Sequence, residues 1–323
     1  MKNKGIVIFL IILAVVIIAV IVGDFISKRP DKMDANIFEY NIDEFKNVDE
    51  DLIHYKETTN FKIGFEQPAG ITIEKDKIYL VGDKKLKIIE TSGKLLSEIE
   101  LLDKPHTVEV ADSKIYVVFE KQIQVFDETG SLLQKLDFPD DNSFITAVAI
   151  RDNNIFVADA GTRKIIRFST EGEKLNEFDG KESDDAIGFI IPSPYFDIDI
   201  NEDGELWVVN PGLHSLENYT LEGSLRTFWK STSMKIEGFS GCCNPAHFTF
   251  LQDGSFVTSE KGLVRIKIYK PSGEFSGVVA APNKFVNKIE GKAPDIAVDN
   301  SGNIYALDFD KKIVRVFEFK NKL

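Results

Sequence analysis

Cysteine is almost absent from this sequence. The 323-residue chain has only two, and they are adjacent at positions 242 and 243. This excludes a small domain held together by several disulfides, and it excludes a zinc site built from cysteines alone, which needs four ligands. The sequence also lacks the motifs G-x-S-x-G, H-E-x-x-H and C-x-x-C, so the common local signatures of serine hydrolases, zinc proteases and thiol oxidoreductases are missing.

Positive charge is in short supply as well. The chain carries 39 Lys and Arg against 52 Asp and Glu, a net charge of −13. Residues 1–33 have five basic and two acidic side chains, so the rest of the chain carries −16. A domain this acidic lacks the clustered cations that neutralise nucleic-acid phosphates, and anionic lipid headgroups repel it. We expect no nucleic-acid partner.

One long apolar run stands at the N-terminus. Gly5–Val22 contains eighteen uncharged residues. As a helix they reach about 27 Å, close to the thickness of a hydrocarbon core. A cleaved signal peptide is the alternative, but it usually has a shorter run and a small-x-small cleavage site. We predict an N-terminal tail (1–4), a transmembrane signal anchor (5–22) and an acidic stalk (23–51).

The orientation of this anchor is set less clearly by charge. Basic residues flank both ends of the apolar run, so the positive-inside rule does not decide. A very short N-terminal tail before a large domain favours export of that domain. We therefore expect the domain after residue 51 on the exoplasmic, periplasmic side, attached to the membrane through residues 5–22.

A repeat organises the chain after residue 60. The first copy is QPAGITIEKDKIYLVGDKKLKIIETSGKLLSEIEL, in which period-2 alternation predicts four strands, with a polar turn after the first and a Gly turn after the third. Repeats of about 40 residues with four strands are typical of propeller blades. The six copies span residues 67–101, 104–138, 144–178, 193–229, 244–280 and 293–320.

The sixth copy stops after three strands. LIHYKETTNFKIGF (52–65) precedes the first copy and ends like the tail of a repeat. We predict that it supplies the missing fourth strand, because ring closure removes an exposed pair of sheet edges. The predicted fold is an all-β, six-bladed β-propeller over 52–323, closed by an N-terminal strand and preceded by one transmembrane helix.

The line P-x-G-I-x-I … I-Y-L/V-x-D … V-x-V-F/Y … G resembles NHL-type repeats. The resemblance covers about residues 52–320 and implies a six-bladed NHL-like propeller, with a monomer as the default for a closed ring. It implies little about activity, because this fold carries binders, scaffolds and enzymes. The stretches IPSPYFDI and GFSGCCNPAHF look like those of a bacterial propeller subfamily without an assigned activity.

The unusual residues fall on one rim of the predicted ring. This rim carries the connections between blades and the loops between second and third strands, and binding residues usually lie on such loops over a rigid scaffold. Blades two and five are opposite in a ring of six, so we expect His106 and His247 to face each other across the channel mouth. For each histidine alone, an ordinary hydrogen-bonded polar residue is the alternative. The predicted ligand-binding rim consists of Cys242, Cys243, Asn244, His247, His106, His214, Tyr195, Asn210, Glu260 and Lys261.

Three interpretations of the adjacent cysteines stay open. Neighbouring Cα atoms are about 3.8 Å apart, whereas ordinary disulfides span roughly 4.4–6.8 Å, so a Cys242–Cys243 disulfide closes a strained eight-membered ring. An exoplasmic location favours such a bond. Free thiols are the second interpretation. A metal site is the third, and it needs further ligands such as His247, His106, His214 or Glu260.

The leading functional hypothesis is an accessory or scaffold protein, anchored in the membrane, that binds a protein partner or a small ligand on the rim with Cys242, Cys243 and His247. No catalytic residue is predicted. One alternative is a metal-dependent hydrolase of the lactonase type, with a divalent cation in the channel held by oxygen ligands. A redox-linked role of the cysteine pair is another. The candidate metal ligands are Glu260, Asn210, Asp159, Asp197 and Asp295.

Overall fold

The computed structural model describes residues 3–27, 42–181, 183, 187–286, 288–289 and 291–320. The chain forms two units, Met1–Ile42 and Asp43–Leu323. In the first unit, helix α1 (Asn3–Ser27) contains a 20-residue stretch, Lys4–Gly23, that is long and apolar enough to cross a membrane. A signal sequence would have the same length and composition. Residues 28–41 of the predicted stalk lie outside the described residues.

The second unit is an all-β propeller with six four-stranded antiparallel sheets, which confirms the predicted fold class. Three short 3₁₀ helices, Ile42–Phe45, Glu50–Leu52 and Pro282–Lys284, accompany them. The strands are β1 (Tyr55–Lys62), β2 (Pro68–Glu74), β3 (Lys77–Gly82), β4 (Lys85–Glu90), β5 (Leu95–Glu100), β6 (Thr107–Ala111), β7 (Lys114–Val118), β8 (Gln122–Asp127), β9 (Leu132–Asp137), β10 (Ile145–Arg151), β11 (Asn154–Asp159), β12 (Lys164–Ser169), β13 (Lys174–Phe178), β14 (Ile198–Ile200), β15 (Leu206–Asn210), β16 (Ser215–Tyr219), β17 (Leu225–Lys230), β18 (His247–Phe250), β19 (Phe256–Glu260), β20 (Arg265–Tyr269), β21 (Phe275–Ala280), β22 (Asp295–Val298), β23 (Ile304–Asp308) and β24 (Ile313–Phe319).

The ring closes with strands from both ends of the domain. β2–β5, β6–β9, β10–β13, β14–β17 and β18–β21 are blades one to five, and the sixth sheet has the order β1-β24-β23-β22. β1 pairs antiparallel with β24, from Tyr55 opposite Phe319 to Lys62 opposite Ile313. The predicted closing strand within residues 52–65 is therefore confirmed.

The core lies between neighbouring blades. Ile78 and Leu80 of blade one pack in one cluster with Tyr305 and Leu307 of blade six. The second strands of blades three to six are buried along their whole length, on both sheet faces. Strands buried on both faces read as continuous apolar runs, which accounts for segments such as IFVA and LWVV.

The turns at the end of the innermost strands come in two types. In blades one to three they are two-residue turns with both central residues at positive φ, as at Lys75 and Asp76, which is the geometry of a type I′ hairpin. In blades four to six a longer turn with one positive-φ glycine replaces it, as at Gly204. Both types of turn connect the first and second strands of a blade, at the same position in each repeat.

The glycines between the third and fourth strands are needed for contact between blades. In blades one to five their φ values run from 83° at Gly273 to 90° at Gly172 and Gly223, a region that favours glycine. A Cβ atom on Gly273 would also lie 2.5 Å from the ring of Trp229, which belongs to the outer strand of the preceding blade. The repeated Gly therefore serves two purposes: the turn and a close approach of the neighbouring side chain.

The contrast between two of the turn glycines predicts different costs of substitution. Gly302 has φ +76° with no atom near its missing Cβ, whereas Gly273 has φ +83° and meets Trp229. Gly302→Ala should cost only the backbone strain, about 1–2 kcal/mol. Gly273→Ala should cost about 1–3 kcal/mol more, because the added methyl group overlaps the indole. Urea unfolding of both variants measures the difference, and equal costs would contradict the proposed contact.

Candidate functional site

The central channel contains a cavity of about 710 Å³. The innermost strands of all six blades contribute to its wall, and loop residues such as Ser193, Tyr195 and Lys261 surround one end. A volume of this size is typical of small-molecule sites, which usually measure about 300–1,000 Å³. Because Ser193, Tyr195 and Lys261 lie on loops of the rim that was predicted to bind a ligand, this end of the cavity is at that rim.

Strand register places the channel side chains at two levels. Positions in different blades are equivalent when they pair with equivalent residues of the second strands. The outer level, nearer the loops with Ser193 and Lys261, consists of Gly70, Thr107, Ala147, Asp197, His247 and Asp295. The inner level lies two residues further along each strand, about 6.7 Å away. It consists of Thr72, Glu109, Ala149, Asp199, Thr249 and Ala297. All of these except Gly70 and Ala149 contribute to the cavity wall.

Three consecutive blades place Asp, His and Asp side by side at the outer level. His247 Nδ1 is 3.6 Å from Asp197 Oδ2 and 3.8 Å from Asp295 Oδ1. Each carboxylate is held by backbone amides of the neighbouring blade and of its own strand. Asp197 accepts hydrogen bonds from the amides of Phe248 and Ile198, both at 3.0 Å. The two acids thus satisfy amides on open strand edges and flank the imidazole at the same time.

Asp295 repeats this arrangement on the other side of His247. It accepts from the amide of Ile71 at 2.9 Å and from that of Ile296 at 3.0 Å. Burial disfavours the charged imidazole, but hydrogen bonding and charge from Asp197 and Asp295 outweigh it and raise the pKa of His247. The arrangement favours a protonated histidine with its ring in the cavity wall.

Tyr195 and Lys261 complete the mouth of the cavity around this histidine. The Tyr195 ring packs edge-on against His247, with 5.3 Å between centroids, and its hydroxyl donates to the carbonyl of Gly291 at 2.8 Å. Lys261 Nζ lies 4.9 Å from the centre of the Tyr195 ring and donates to Ser193 Oγ at 2.8 Å. These predicted rim residues are therefore brought together with His247.

The acids of the inner level were not among the residues predicted from the sequence. Glu109 accepts from the Thr72 hydroxyl at 3.1 Å, and Asp199 accepts from the amide of Ile200 at 2.7 Å. Burial is the main cause that raises the pKa of Glu109 to about 8 and that of Asp199 to about 7, and the charge of Asp199 adds to the effect on Glu109. Alignment of the six repeats on the first turn would have found both, since it places VEV (108–110) and IDI (198–200) at one level.

The other two predicted histidines differ in their surroundings. His106 lines the cavity opposite His247, stacks on Phe144 at 4.9 Å and has Nδ1 3.2 Å from the carbonyl of Ile145. His214 is buried outside the cavity wall, with Nδ1 3.1 Å from Thr232 Oγ1. Burial lowers the pKa of His214. The structure thus brings His106, but not His214, to the channel.

Glu260 occupies a closed network of buried charges outside the cavity wall. It forms ion pairs with Arg265 at 2.7 Å and Lys267 at 2.8 Å, and none of the three side chains is exposed. Although burial disfavours its charge, the two cations hold the pKa of Glu260 below its usual value. Arg265 and Lys267 also donate to the carbonyl of Gly238, which ties the loop before the cysteines to blade five.

The side chains of Asn210 and Asp159 also form hydrogen bonds with nearby residues. Asn210 accepts from the amide of Ile190 at 2.9 Å and donates to Glu217 at 3.1 Å. Asp159 accepts from the Ser143 hydroxyl at 2.7 Å and from the amide of Phe144 at 2.8 Å. Neither residue lines the cavity. Of the five candidate metal ligands, only Asp197 and Asp295 lie in the channel.

No group of three or more His, Cys, Asp or Glu side chains within the described residues has the arrangement of a metal site. The five predicted metal ligands lie in different places. Asp197 and Asp295 line the channel, and Glu260 belongs to the buried ion-pair network. The other two, Asn210 and Asp159, bind backbone amides of nearby loops. A lactonase-type metal site would therefore have to be built from Asp197, Asp295 and His247 with ligands of another kind. Metal binding stays an untested prediction.

The cysteines lie on the loop between β17 and β18, next to the cavity mouth. Both are free thiols in this structure, with Cys242 exposed and Cys243 buried, and their sulfur atoms are 3.0 Å apart. The predicted disulfide stays a prediction. Asn244, the next residue, donates to the carbonyls of Ser240 and Lys261 and accepts from the Lys261 amide at 3.0 Å.

The geometry around His247 predicts a specific change in its titration. Asp197→Asn keeps an oxygen for the Phe248 amide but removes a negative charge, so the pKa of His247 should fall toward its usual value near 6.5. Because folding raises this pKa, His247 contributes stability that is present below about pH 6.5 and is lost as the pH rises through the raised value. NMR titration of the imidazole tests the first point. Asp199→Asn, one level deeper, is the control and should have a smaller effect.

The stability difference supplies a second readout of the same prediction. His247→Gln should cost more free energy of unfolding at pH 5.5 than at pH 8.5, by urea titration at both values. An equal cost at the two pH values, with an unchanged pKa in Asp197→Asn, would show that the carboxylates do not control this histidine.

Comparison with known proteins shows the fold of this chain. No family model and no curated protein matches it. Among solved structures, a streptogramin B lyase shares 16% identity with a TM-score of 0.58, covering 82% of this chain and 97% of that one. A virginiamycin B lyase from Staphylococcus aureus, described as a catalytically inactive histidine-to-alanine variant with quinupristin, has 16% identity and a TM-score of 0.57, with coverage of 82% and 99%. The Pan2 WD40 domain of Neurospora crassa has 8% identity and a TM-score of 0.54, with coverage of 83% and 96%. These matches show that the chain has a β-propeller fold.

Proposed function

We propose that this protein binds a small polar molecule in its central channel, with His247 at the outer level and the carboxyl groups of Glu109 and Asp199 at the inner level as its contacts. The observation that carries the proposal is the cavity of about 710 Å³ whose outer level presents His247 between Asp197 and Asp295. Ligand sites are concave and offer a few convergent polar groups in an otherwise apolar wall. Ile71, Val108 and Phe248 supply apolar wall beside these polar groups.

The charges of the wall favour a ligand with a basic group. Four carboxyl side chains line the cavity, and its two lysines, Lys261 and Lys292, belong to loops at the mouth. Within the described residues, no lysine or arginine forms an ion pair with Glu109 or Asp199 at the inner level. A buried carboxylate without a cation is costly, so an ammonium group bound there would stabilise its charged form.

A screen of small molecules by thermal unfolding tests the proposal. Primary amines, carboxylic acids and neutral polar compounds are compared at equal concentration, and amines are expected to stabilise the protein. A compound at 100 times its Kd adds about 2.7 kcal/mol of stability. Glu109→Gln combined with Asp199→Asn should lose this effect, because no carboxylate is left at the inner level, whereas His54→Gln, whose ring lies beside Gly277 and outside the cavity wall, should keep it.

Two results would contradict small-molecule binding in the channel. One is the absence of any stabilising compound. The other is a set of compounds that stabilise the variant with Glu109→Gln and Asp199→Asn as strongly as the natural protein, which would place their site elsewhere.

A protein partner on the same rim is the second candidate. Loops at this end expose large apolar side chains, with Leu102 82% and Ile187 72% exposed, and Val286 and Ile289 also exposed. They belong to three connections between blades, and a partner that covers this end of the ring would bury them together. A co-purifying protein that is lost in Leu102→Ser together with Val286→Ser, with no stabilising small molecule, would favour this function.

The proposal includes a membrane-anchored, exoplasmic location. It rests on helix α1, whose Lys4–Gly23 stretch meets the length and hydropathy of a membrane span. Protease added to spheroplasts that express the full chain should digest the propeller while a cytoplasmic marker stays intact. Protection of the propeller until the cells are lysed would place it in the cytoplasm and overturn this part of the proposal.

A further inference from the structure

The two thiols at the cavity mouth differ in access and in surroundings. Cys242 is exposed, whereas Cys243 is only 3% exposed, and the two sulfur atoms are 3.0 Å apart. One sulfur can therefore meet a molecule from solution while the other is sheltered directly behind it. Nothing in the proposed ligand contacts at His247 uses either thiol.

The sheltered thiol has polar partners that favour its ionised form. Lys261 Nζ donates to Ser193 Oγ at 2.8 Å, and this Lys261–Ser193 pair lies beside Cys243 at the cavity mouth. Burial disfavours the thiolate, but hydrogen bonds from Cys242 and Ser193 and the charge of Lys261 outweigh it and lower the pKa of Cys243. Contact with Cys243 raises the pKa of Cys242. Cationic, hydrogen-bonded surroundings of this kind mark reactive cysteines.

The position of the thiol pair beside Lys261 is fixed by the backbone. The Asn244 side chain bridges the two loops: it donates to the carbonyl of Ser240 at 2.6 Å and to that of Lys261 at 3.1 Å. It also accepts from the Lys261 amide at 3.0 Å. Gly241, at φ +74°, supplies the left-handed turn that leads into the pair. Hydrogen bonds of the Asn244 side chain thus hold the cysteine loop next to Lys261.

We propose that Cys242 and Cys243 form a dithiol site that reacts reversibly with small-molecule disulfides, with Lys261 and Ser193 as positioning residues for Cys243. The Cys243 thiolate, 3.0 Å away, takes the proton of the exposed Cys242 thiol as the Cys242 sulfur attacks one sulfur of the disulfide R–S–S–R. The first R–S⁻ takes that proton and leaves as R–SH, which restores the Cys243 thiolate. The Cys243 thiolate then attacks the Cys242 sulfur of the mixed disulfide, and the second R–SH leaves. The protein loses two hydrogens and forms one S–S bond, while the external disulfide is reduced to two thiols.

The product is readily reversible because of its ring size. A bond between adjacent cysteines closes an eight-membered ring across Cα atoms about 3.8 Å apart, below the range of roughly 4.4–6.8 Å for ordinary disulfides. Strained and exposed disulfides are the more easily reduced ones. Oxidation would also remove the Cys243 thiolate as a partner of Lys261, which lines the cavity. This last consequence rests on the proposed function, whereas the thiol chemistry does not.

The first measurement uses the reduced full-length chain in detergent and oxidised glutathione as the disulfide. After incubation and denaturing alkylation without reductant, intact mass should show no label and a loss of two hydrogens. Cys243→Ser should stop at the first step and carry one glutathione, bound to Cys242. Two labels on the natural protein, or a Cys243→Ser variant that carries no glutathione, would overturn the proposal.

The second measurement isolates the role of Lys261. The rate of disulfide formation is followed against pH for Lys261→Met, for Lys261→Arg and for the control Lys270→Met, whose lysine pairs with Glu274 on the surface. Lys261→Met should shift the pH–rate profile upward and slow the reaction about tenfold at neutral pH, the effect of one unit in a thiol pKa. Lys261→Arg should restore much of the rate, and Lys270→Met should match the natural protein. A Lys261→Met profile that coincides with the natural one would remove Lys261 from the site, and a thermal unfolding scan confirms that each variant is folded.

Discussion

Closure of the ring by strand β1 is the constraint on which the rest of the structure depends. The sixth repeat supplies only three strands, so without β1 the outer edge of β24 would be open. The pairing is reinforced by Arg315, which is buried and bonds to Glu57 of β1 at 2.6 Å. The same guanidinium also reaches Asp308 of β23 at 3.4 Å. One buried cation thus joins both ends of the domain, and a closed ring fixes the distance between opposite walls of the channel.

The channel chemistry follows from a backbone requirement. The innermost strand of every blade has one unpaired edge, and its amides need acceptors. Asp197 and Asp295 provide them across the boundaries to the next blades. Because those carboxylates are fixed by the backbone, they also hold a charge on either side of His247. The same two side chains therefore satisfy amides of the neighbouring blades and set the charge around His247, and a substitution that removes either acid is expected to change both.

A second buried charge network positions the cysteine loop. Glu260, Arg265 and Lys267 are fully buried, and the two cations bind the carbonyl of Gly238 at 2.7 and 2.6 Å. Breaking a buried pair by removing one partner typically costs about 3–5 kcal/mol, because a charge is left without compensation. Glu260, which was predicted as a ligand-binding residue of the rim, thus stabilises the cysteine loop through these two cations. Its neighbour Lys261 instead places its ammonium group at the cavity mouth, beside Ser193 and Tyr195.

The sequence by itself determined the fold, because each repeat carries its own strand periodicity and turn residues, and because residues 52–65 match the missing strand of the last blade. It also predicted a rim with His247, His106, Tyr195 and Lys261, and the structure places these four residues around one cavity. Only the tertiary structure decided which polar residues share a cavity. Glu260, Asn210 and Asp159 resemble ligands in sequence, but buried cations and backbone amides occupy them. Glu109 and Asp199 resemble ordinary strand residues, but register turns them toward the channel. Partner choice for a carboxylate depends on groups that are distant in the chain, as Asp295 and Ile71 are, and local sequence does not contain that information.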